Sequence, residues 1–394
     1  MHDVWPALTC AWERGDAVAV ATVVETVGSA PRAVGDSMLV RGDGSVVGSV
    51  SGGCVEGAVH EIALDVLDGG PARLARYGVS DEAGLQVGLT CGGTVEVFVS
   101  RIDPITFARL DLVTAARVEA RSVAVATVVE HPDADVVGHR MVLTATAADG
   151  ELATPRIDAA VIDDARGLLA AGRSATLTYG PDGERRGTGL RVHVTTFAPA
   201  PRLIVFGAVD HAAALAEVGA FLGYEVTVCD ARATFATAER FPGAHVVTDW
   251  PHRYLAAERD AGRLDPRTAI AVLTHEPRFD VPVLQLALRL PVAFVGAMGS
   301  RRTHEDRLRR LREAGSSDVE LGRLASPIGL DLGGRTPQET AVSIAAEIVA
   351  RRWGGTGRPL TQLDSPVHAP RTTADAPTDP PVRPLAVHTL QEAR

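Results

Sequence analysis

The sequence predicts an α/β protein in two parts, a duplicated α+β region followed by a doubly wound parallel sheet. The octamer VAVATVVE occurs at residues 18–25 and again at 123–130, and each copy is followed by the same order of elements. Beyond residue 201, short continuous apolar segments alternate with helical ones. That alternation is typical of parallel strands that are covered by helices on both faces.

Each unit of the duplicated region reads strand, strand, helix, strand, strand. After the octamer, the first unit places these elements at 38–40, 54–67, 73–78 and 94–99. The second unit places them at 141–143, 157–171, 175–180 and 191–196, so that the repeats span about 15–100 and 121–197. Asp-Gly pairs at 43–44 and 149–150 follow the second strands, and both fourth segments end in Tyr-Gly. Chance similarity between segments rich in Val and Ala is the alternative explanation.

A stiff linker of alternating Ala and Pro at 198–201 separates the two parts. The second part has predicted strands at 202–206, 225–229, 244–248, 268–274 and 292–295. Its predicted helices lie at 211–222, 254–261, 283–290, 302–314 and 337–353. From residue 354 the chain is rich in Pro and Thr without apolar periodicity, which predicts a disordered tail. The expected domains are therefore 1–197 and 202–353, with the tail at 354–394.

Composition restricts the classes of partner and compartment. The net charge of −10 argues against nucleic acid or an anionic membrane as a partner, and no apolar segment reaches the ~20 residues that span a bilayer. The four cysteines are scattered, no CxxC pair is present and no signal segment opens the sequence, so we expect a reduced, cytoplasmic protein. The sequence has no lysine, which excludes a Walker A loop and leaves arginine for anion contacts.

Two cysteines carry glycine pairs in mirror order, as Gly52-Gly53-Cys54 and Cys91-Gly92-Gly93. Glycine pairs weaken a helix or strand but let a ligand approach the backbone. Cys54 begins a predicted helix, whose N–H groups and partial positive charge favour a phosphate or a thiolate. We therefore expect a phosphate-bearing, thiol-reactive ligand between the two motifs. A tight turn beside a buried structural cysteine is the alternative.

The second unit contains no counterpart to either cysteine motif. We therefore expect the first unit to carry the chemistry and the second to serve as a scaffold. The turn-rich segment at 28–32 ends in Arg32 and is a candidate to close over the same site. Arg32 is thus a candidate phosphate contact.

A βαβ unit for dinucleotide binding is predicted in the second part. The strand at 202–206 leads through Gly207 into a helix, and Asp230 follows the next strand, 23 residues after Gly207. The glycine fingerprint is interrupted, because Val209 and Ala212 stand where its second and third glycines fall. The unit therefore predicts the fold, whereas the interruption argues against tight binding of NAD or NADP.

A second anion site is predicted after the strand at 292–295. Gly296 and Gly299 precede Arg301 and Arg302 at the start of a helix, and this order suits an anion. The alternative is a turn followed by a solvated basic helix face, which continues through 307–310.

Four motifs follow one another along the chain. They are Gly28-Ser29-Ala30-Pro31-Arg32 with Gly48-Ser49-Val50-Ser51-Gly52-Gly53-Cys54-Val55-Glu56, Cys91-Gly92-Gly93-Thr94-Val95-Glu96-Val97, Gly296-Ala297-Met298-Gly299-Ser300-Arg301-Arg302-Thr303, and Pro327-Ile328-Gly329-Leu330-Asp331-Leu332-Gly333. In this combination the chain resembles the XdhC/CoxI family of accessory proteins over about residues 15–352.

The resemblance implies an XdhC/CoxI-type first domain and a Rossmann-like second domain. It also implies a protein that binds the molybdenum cofactor as transient cargo, shelters it during sulfuration and inserts it into an apo molybdenum hydroxylase. That client would be of the xanthine or carbon monoxide dehydrogenase type. The expected cofactor-binding residues are Cys54, Cys91, Gly52, Gly53, Gly92, Gly93, Arg32, Gly207, Asp230, Arg301 and Arg302, with Cys54 and Cys91 also as metal ligands.

The expected role is that of an accessory protein rather than an enzyme, and no catalytic residue is predicted. A cysteine desulfurase and a second copy of the chain are further candidate partners. An NAD(P)-dependent oxidoreductase built on the βαβ unit is the alternative function. A structural adaptor that docks two enzymes without a cofactor is a third hypothesis.

Overall fold

The computed structural model describes residues 1, 4–28, 32–78 and 93–363. Its helices are α1 (Trp5–Glu13), α2 (Glu56–Leu67), α3 (Leu110–Val118), α4 (Pro155–Ala171), α5 (Asp210–Phe221), α6 (Pro251–Asp260), α7 (Pro277–Ala287), α8 (Arg301–Glu313), α9 (Asp318–Gly322) and α10 (Pro337–Trp353). Its strands are β1 (Val18–Val27), β2 (Ser37–Arg41), β3 (Val46–Gly48), β4 (Arg73–Tyr77), β5 (Thr94–Ile102), β6 (Val123–Glu130), β7 (Arg140–Leu143), β8 (Ala148–Gly150), β9 (Ala175–Tyr179), β10 (Leu190–Phe197), β11 (Arg202–Phe206), β12 (Glu225–Cys229), β13 (His245–Val247), β14 (Ala269–Val272), β15 (Phe294–Ala297) and β16 (Leu324–Ala325). The strands form three sheets.

The first sheet is antiparallel throughout, with the strand order β3-β2-β1-β5-β4. Successive side chains of a strand point to opposite faces, which gives β1 one face of small residues that includes Ala19 and Ala21. Helix α2 covers that face with Val59, Ala63 and Val66, which are spaced for one side of a helix and are buried.

The second sheet repeats this design with the order β8-β7-β6-β10-β9 and with α4 on one face. The register is the same, because Ala21 pairs with Met38 in the first sheet and Ala126 pairs with Met141 in the second. Both long central pairs also carry an irregularity at the matching place, after Val23 in β1 and after Val128 in β6. The predicted duplication is confirmed.

The structure corrects two details of the predicted repeat. Each unit has a further short strand, β3 or β8, before its helix. Gly48 and Gly150 end these strands with positive φ, and a Cβ on either would collide with a backbone carbonyl of the neighbouring strand. Gly150 therefore corresponds to Gly48 and not to Gly44, so the proposed match between the two Asp-Gly pairs is wrong. The short helices α1 and α3 were also not predicted.

The faces of the two sheets that point away from α2 and α4 share a core with α1 and α3. At the edge of this contact Arg191 pairs with Glu25 at 2.5 Å, Glu96 at 2.6 Å and Glu130 at 3.2 Å. Glu25 lies opposite Glu96 in the first sheet, and Glu130 lies opposite Arg191 in the second. Arg191 thus occupies the position that Glu96 holds in the other unit and places one cation among the three carboxylates.

The third sheet is parallel throughout and has the order β13-β12-β11-β14-β15-β16. Numbered within this part of the chain, the order is 3-2-1-4-5-6, the arrangement of Rossmann folds. Helices α5 and α10 cover one face, and α6, α7 and α8 cover the other. The predicted α/β class with a doubly wound parallel sheet is confirmed.

Most predicted elements of this part lie within a few residues of their observed bounds, but α7 begins at Pro277, six residues before the predicted helix. The helix contains Pro282, and a proline inside a helix imitates a helix start in the sequence. Helix α9 and strand β16 were not predicted. Within the described ranges, none of the helices combines the length and apolarity that crossing a membrane requires.

Candidate functional site

Three connections leave the first sheet at one edge. Val27 at the end of β1 pairs with Thr94 at the start of β5, and Tyr77 at the end of β4 pairs with Val95. Strand β3 runs antiparallel to β2, so that its last residue, Gly48, ends towards the same edge. The β1–β2, β3–α2 and β4–β5 connections therefore begin or end side by side.

These connections contain the site residues that the sequence predicts for the first unit. Arg32 lies on the first connection and is partly exposed, and Gly52, Gly53 and Cys54 lie on the second. Gly93 ends the third, where a Cβ on Gly28 would lie 3.5 Å from its Cα atom. Cys91 and Gly92 lie outside the described residues.

The second connection, the 49–55 loop, is an open loop rather than the first turn of a helix. Helix α2 begins at Glu56, two residues later than predicted. Gly52 and Gly53 have φ of 79° and 119°, a region that side chains other than glycine rarely adopt. Both glycines are exposed, and their conformation turns successive backbone N–H groups towards one point.

The carboxylate of Glu56 occupies that point. It accepts the backbone N–H groups of Ser51 at 2.9 Å, Gly52 at 2.9 Å and Gly53 at 2.8 Å. It also accepts the hydroxyl of Ser49 at 2.6 Å and the hydroxyl of Ser51. Burial raises the pKa of Glu56, but these hydrogen bonds outweigh burial and lower that pKa to about 2.

Glu56 therefore fills the place that the sequence analysis gives to a ligand phosphate. A phosphate reaches the N–H groups of Gly52 and Gly53 only if Glu56 first moves away, since each N–H group has one hydrogen to donate. Contact between these two glycines and a ligand stays a prediction. Glu56 is not among the site residues predicted from the sequence, although Glu56 stands three residues after Gly53, as the glutamate of a capping box stands after its N-cap residue.

Cys54 is half-buried and packs at the margin of the core beneath α2. Its backbone N–H donates to the Ser51 hydroxyl at 3.0 Å, and this hydroxyl in turn donates to Glu56. By contrast, Cys229 is fully buried, and its burial raises its pKa to about 12, so it is an unreactive thiol at neutral pH. Cys10 is exposed on α1. Of these three, only Cys54 lies on one of the converging connections.

The second unit shows what this place looks like without the glycine pair. The matching positions, four to six residues after Gly150, hold Thr154, Pro155 and Arg156. Helix α4 begins there, at Pro155, with the Thr154 side chain as its N-cap. Asp158, at the place of Glu56, accepts the N–H groups of Leu152 at 3.1 Å and Ala153 at 3.4 Å. Where the second unit has a regular helix start, the first unit thus has a loop in which Gly52 and Gly53 are exposed.

In the parallel sheet, Gly207 and Asp230 have partners within the chain. A Cβ on Gly207 would lie 2.7 Å from Cγ2 of Thr274, so the glycine permits close packing between two strand ends. Asp230 is buried, and its carboxylate accepts the N–H of Ala208 at 2.8 Å and the guanidinium of Arg232 at 2.7 Å. Burial raises the pKa of Asp230, and the bonds to Arg232 and Ala208 lower it overall. Contact between Asp230 and a ribose stays a prediction.

Arg301 and Arg302 are exposed in the first turn of α8, where the Ser300 side chain accepts the N–H of Thr303 at 3.2 Å. Arg307, one residue of the expected solvated basic face, is buried instead. It pairs with the buried Asp280 at 3.2 Å and donates to the carbonyl of Met298 at 2.8 Å. This ion pair joins α7 to α8 at the carboxyl ends of the strands. Its sequence signal is the helical spacing of Arg307 and the buried Leu311.

Comparisons with known proteins cover both parts of the chain. The model of the XdhC and CoxI family matches residues 11–78 and 116–180, one match in each unit, and the model of the XdhC Rossmann domain matches residues 203–348. The molybdenum cofactor insertion chaperone PaoD of Escherichia coli strain K12 is 27% identical over 338 residues, which are 86% of this chain and 84% of PaoD.

Two further similarities have the same extent. A probable xanthine dehydrogenase subunit of Bacillus subtilis strain 168 is 27% identical over 336 residues, or 84% of this chain and 92% of that protein. The crystal structure of a xanthine dehydrogenase from Bacillus halodurans covers 91% of this chain and 97% of its own, with a TM-score of 0.60 and 23% identity. The latter similarity shows that the fold is shared.

Proposed function

Because this chain belongs to the XdhC and CoxI family, we propose that it binds the molybdenum cofactor and inserts it into a molybdenum hydroxylase. PaoD, a molybdenum cofactor insertion chaperone, is similar over most of both chains. The client is of the xanthine or carbon monoxide dehydrogenase type. The structural observation that carries the proposal is the 49–55 loop, in which the exposed Gly52 and Gly53 adjoin the half-buried Cys54, whereas the second unit has a regular helix start.

The cofactor binds as cargo at the edge of the first sheet where the three connections meet. Cys54 and Cys91 are the proposed contacts to molybdenum or to its sulfur donor, because thiolates are soft ligands. Arg32, on a neighbouring connection, is the proposed contact to the phosphate of the pterin, since a guanidinium binds phosphate bidentately. Gly28 and Gly93 let the first and third connections approach each other closely at this edge.

The second unit and the parallel sheet have supporting roles in this proposal. The second unit buries the rear face of the first sheet and so holds the three connections at a fixed edge. Arg301 and Arg302 form a second anion contact on the parallel sheet, where they are exposed. A cysteine desulfurase that sulfurates the bound cofactor is a proposed further partner.

Dinucleotide binding is the second candidate, and the 3-2-1-4-5-6 strand order favours it. The inward-facing bonds of Asp230 and the side chain of Val209 at the turn oppose it. Titration with NADH and NADPH, followed by nicotinamide fluorescence, separates the two functions. Saturable, tight binding would favour an oxidoreductase over a cofactor chaperone.

The proposal is tested by transfer. The chain is mixed anaerobically with molybdenum cofactor released from a molybdenum hydroxylase, separated from free cofactor by gel filtration, and added to apo-hydroxylase. We expect the loaded chain to restore hydroxylase activity, and to do so better than free cofactor exposed to the same buffer. A chain that retains no cofactor, or that withholds it from the apo-hydroxylase, contradicts the proposal.

A further inference from the structure

We infer that Glu56 is a positioning residue for Cys54. The negative charge of the Glu56 carboxylate holds the 49–55 loop open. The inference rests on the proposed function only in that Cys54 contacts the cofactor. The hydrogen bonds that carry the inference are made between residues of the loop and Glu56.

Several hydrogen-bond donors converge on the side chain of Glu56. Oε1 of Glu56 accepts from Ser49 Oγ, Ser51 N and Gly52 N, and Oε2 accepts from Ser51 Oγ and Gly53 N. Both oxygens are therefore needed as acceptors. A glutamine keeps one carbonyl oxygen but presents an NH₂ group to the remaining donors, so it cannot replace this function although its shape is the same.

The Ser51 hydroxyl connects the carboxylate to Cys54. The Ser51 hydroxyl donates its hydrogen to Glu56, which leaves its lone pairs to accept the N–H groups of Cys54 at 3.0 Å and Val55 at 3.0 Å. The orientation of this hydroxyl is thus set by Glu56 and in turn fixes the backbone at Cys54. Val55 is fully buried, so the backbone on the far side of Cys54 is also held.

The second unit has an equivalent carboxylate. Asp158 has the same place and charge as Glu56, and it also accepts backbone N–H groups from the residues that precede its helix. In the second unit the Thr154 side chain also accepts the N–H of Ile157 and so caps the start of the helix. In the first unit the glycines supply no side chain, and the Glu56 carboxylate orders the loop together with the hydroxyls of Ser49 and Ser51.

The experiment compares Glu56→Gln, which keeps the size, with Glu56→Asp, which keeps the charge. Asp158→Asn is the matched control, since it removes the equivalent charge from the unit without the cysteine motif. Amide hydrogen exchange of peptides covering 49–55 and the alkylation rate of Cys54 by iodoacetamide are measured in a Cys10→Ser/Cys91→Ser background. Cofactor retention is measured separately with the natural cysteines in place.

For Glu56→Gln we expect about tenfold faster exchange in the loop, which corresponds to the loss of one hydrogen bond to a charged group. We also expect a changed alkylation rate of Cys54 and reduced cofactor retention. Glu56→Asp should stay closer to the natural protein in all three measurements, and Asp158→Asn should leave Cys54 unchanged. Thermal unfolding confirms that every variant is folded.

Loop exchange and alkylation that are unchanged in Glu56→Gln overturn the inference, as does a Glu56→Asp variant that is more disturbed than Glu56→Gln. The latter order indicates that only the volume of the side chain matters. If the natural chain retains no cofactor while exchange and alkylation behave as expected, the proposed function fails and the positioning role of Glu56 stands.

Discussion

At the scale of single residues, the positions of two charged side chains, Glu56 and Arg307, are not predicted from the sequence. Glu56 binds three backbone N–H groups at the edge of the first sheet, and Arg307 lies in a buried ion pair beneath the carboxyl edge of the parallel sheet. The partners of Glu56 lie within seven residues of it, whereas Arg307 and Asp280 are 27 residues apart. Both have consequences for stability that can be measured without a ligand.

The stabilising effect of Glu56 should depend on pH. Its pKa is about 2 in the folded chain, below its usual value of 4.5, so ionised Glu56 stabilises the folded state above pH 4.5 and loses this effect as the pH falls towards 2. Because Glu56 is only partly buried and solvent screens part of its charge, we expect Glu56→Gln to lower the free energy of unfolding by about 1–2 kcal/mol at pH 6–7, with a smaller difference below pH 4.5. Urea denaturation of both proteins across this range measures the difference. A difference that does not shrink in acid would contradict it.

The buried ion pair predicts an asymmetric pair of substitutions. Arg307→Met leaves the carboxylate of Asp280 without its cation, and we expect a loss of about 3–5 kcal/mol in the free energy of unfolding. Asp280→Asn/Arg307→Met should cost clearly less, because no uncompensated charge remains. Arg301→Ala, at an exposed position of the same helix, is the control and should change stability by less than about 0.5 kcal/mol. Denaturant titration of the three variants decides.

At the scale of elements, the duplication supplies an internal comparison. Helices α2 and α4 pack on equivalent sheets, yet α4 begins at Pro155 whereas α2 begins only at Glu56, after the glycine pair. The difference is local, because Val50 near the start of the 49–55 loop and Leu152 at the matching position of the second unit are both fully buried. The two units thus differ at a few residues on an otherwise repeated framework, and these residues belong to the proposed site.

This comparison predicts the outcome of a loop exchange. The variant Gly52→Thr/Gly53→Pro/Cys54→Arg copies the start of α4 into the first unit. We expect α2 to begin earlier in a folded protein, because Thr and Pro are favoured at the N-cap and first position of a helix and do not adopt the positive φ of the two glycines. We expect cofactor retention to be lost. Hydrogen exchange at 52–55 and thermal unfolding follow the structure, and retention of the cofactor by the folded variant would contradict the assignment.

The sequence predicts the elements well where their period is regular. The repeated octamer and the two Tyr-Gly endings locate both units, and α10 has the predicted bounds, with a Thr336 capping box and the left-handed Gly354 at its ends. The sequence predicts the start of α2 less well. The apolar pattern extends the helix back to Cys54, but after the two glycines the helix begins only at Glu56. The role of Glu56 escapes the sequence because its serine partners precede it by five and seven residues.

At the scale of the whole molecule, the two parts of the chain are joined by more than the linker. Arg267 of the parallel-sheet part donates to the carbonyl of Pro199 at 2.8 Å and pairs with Asp265 at 2.5 Å. Its side chain also lies against Gly172 at the end of α4, where a Cβ would be 2.9 Å from Cδ of Arg267. The second unit therefore contacts the parallel-sheet part. In the first unit, the edge of the sheet where the β1–β2, β3–α2 and β4–β5 connections begin or end is called the cysteine edge below.

We propose that the cysteine edge of the first unit holds the molybdenum cofactor. The most direct test of this proposal is the molybdenum content of the chain after anaerobic loading and gel filtration, with Cys54→Ser/Cys91→Ser compared with Cys10→Ser. We expect that the double variant, although folded, loses most of the bound molybdenum, and that Cys10→Ser retains as much as the natural chain. Equal molybdenum in all three proteins would contradict it.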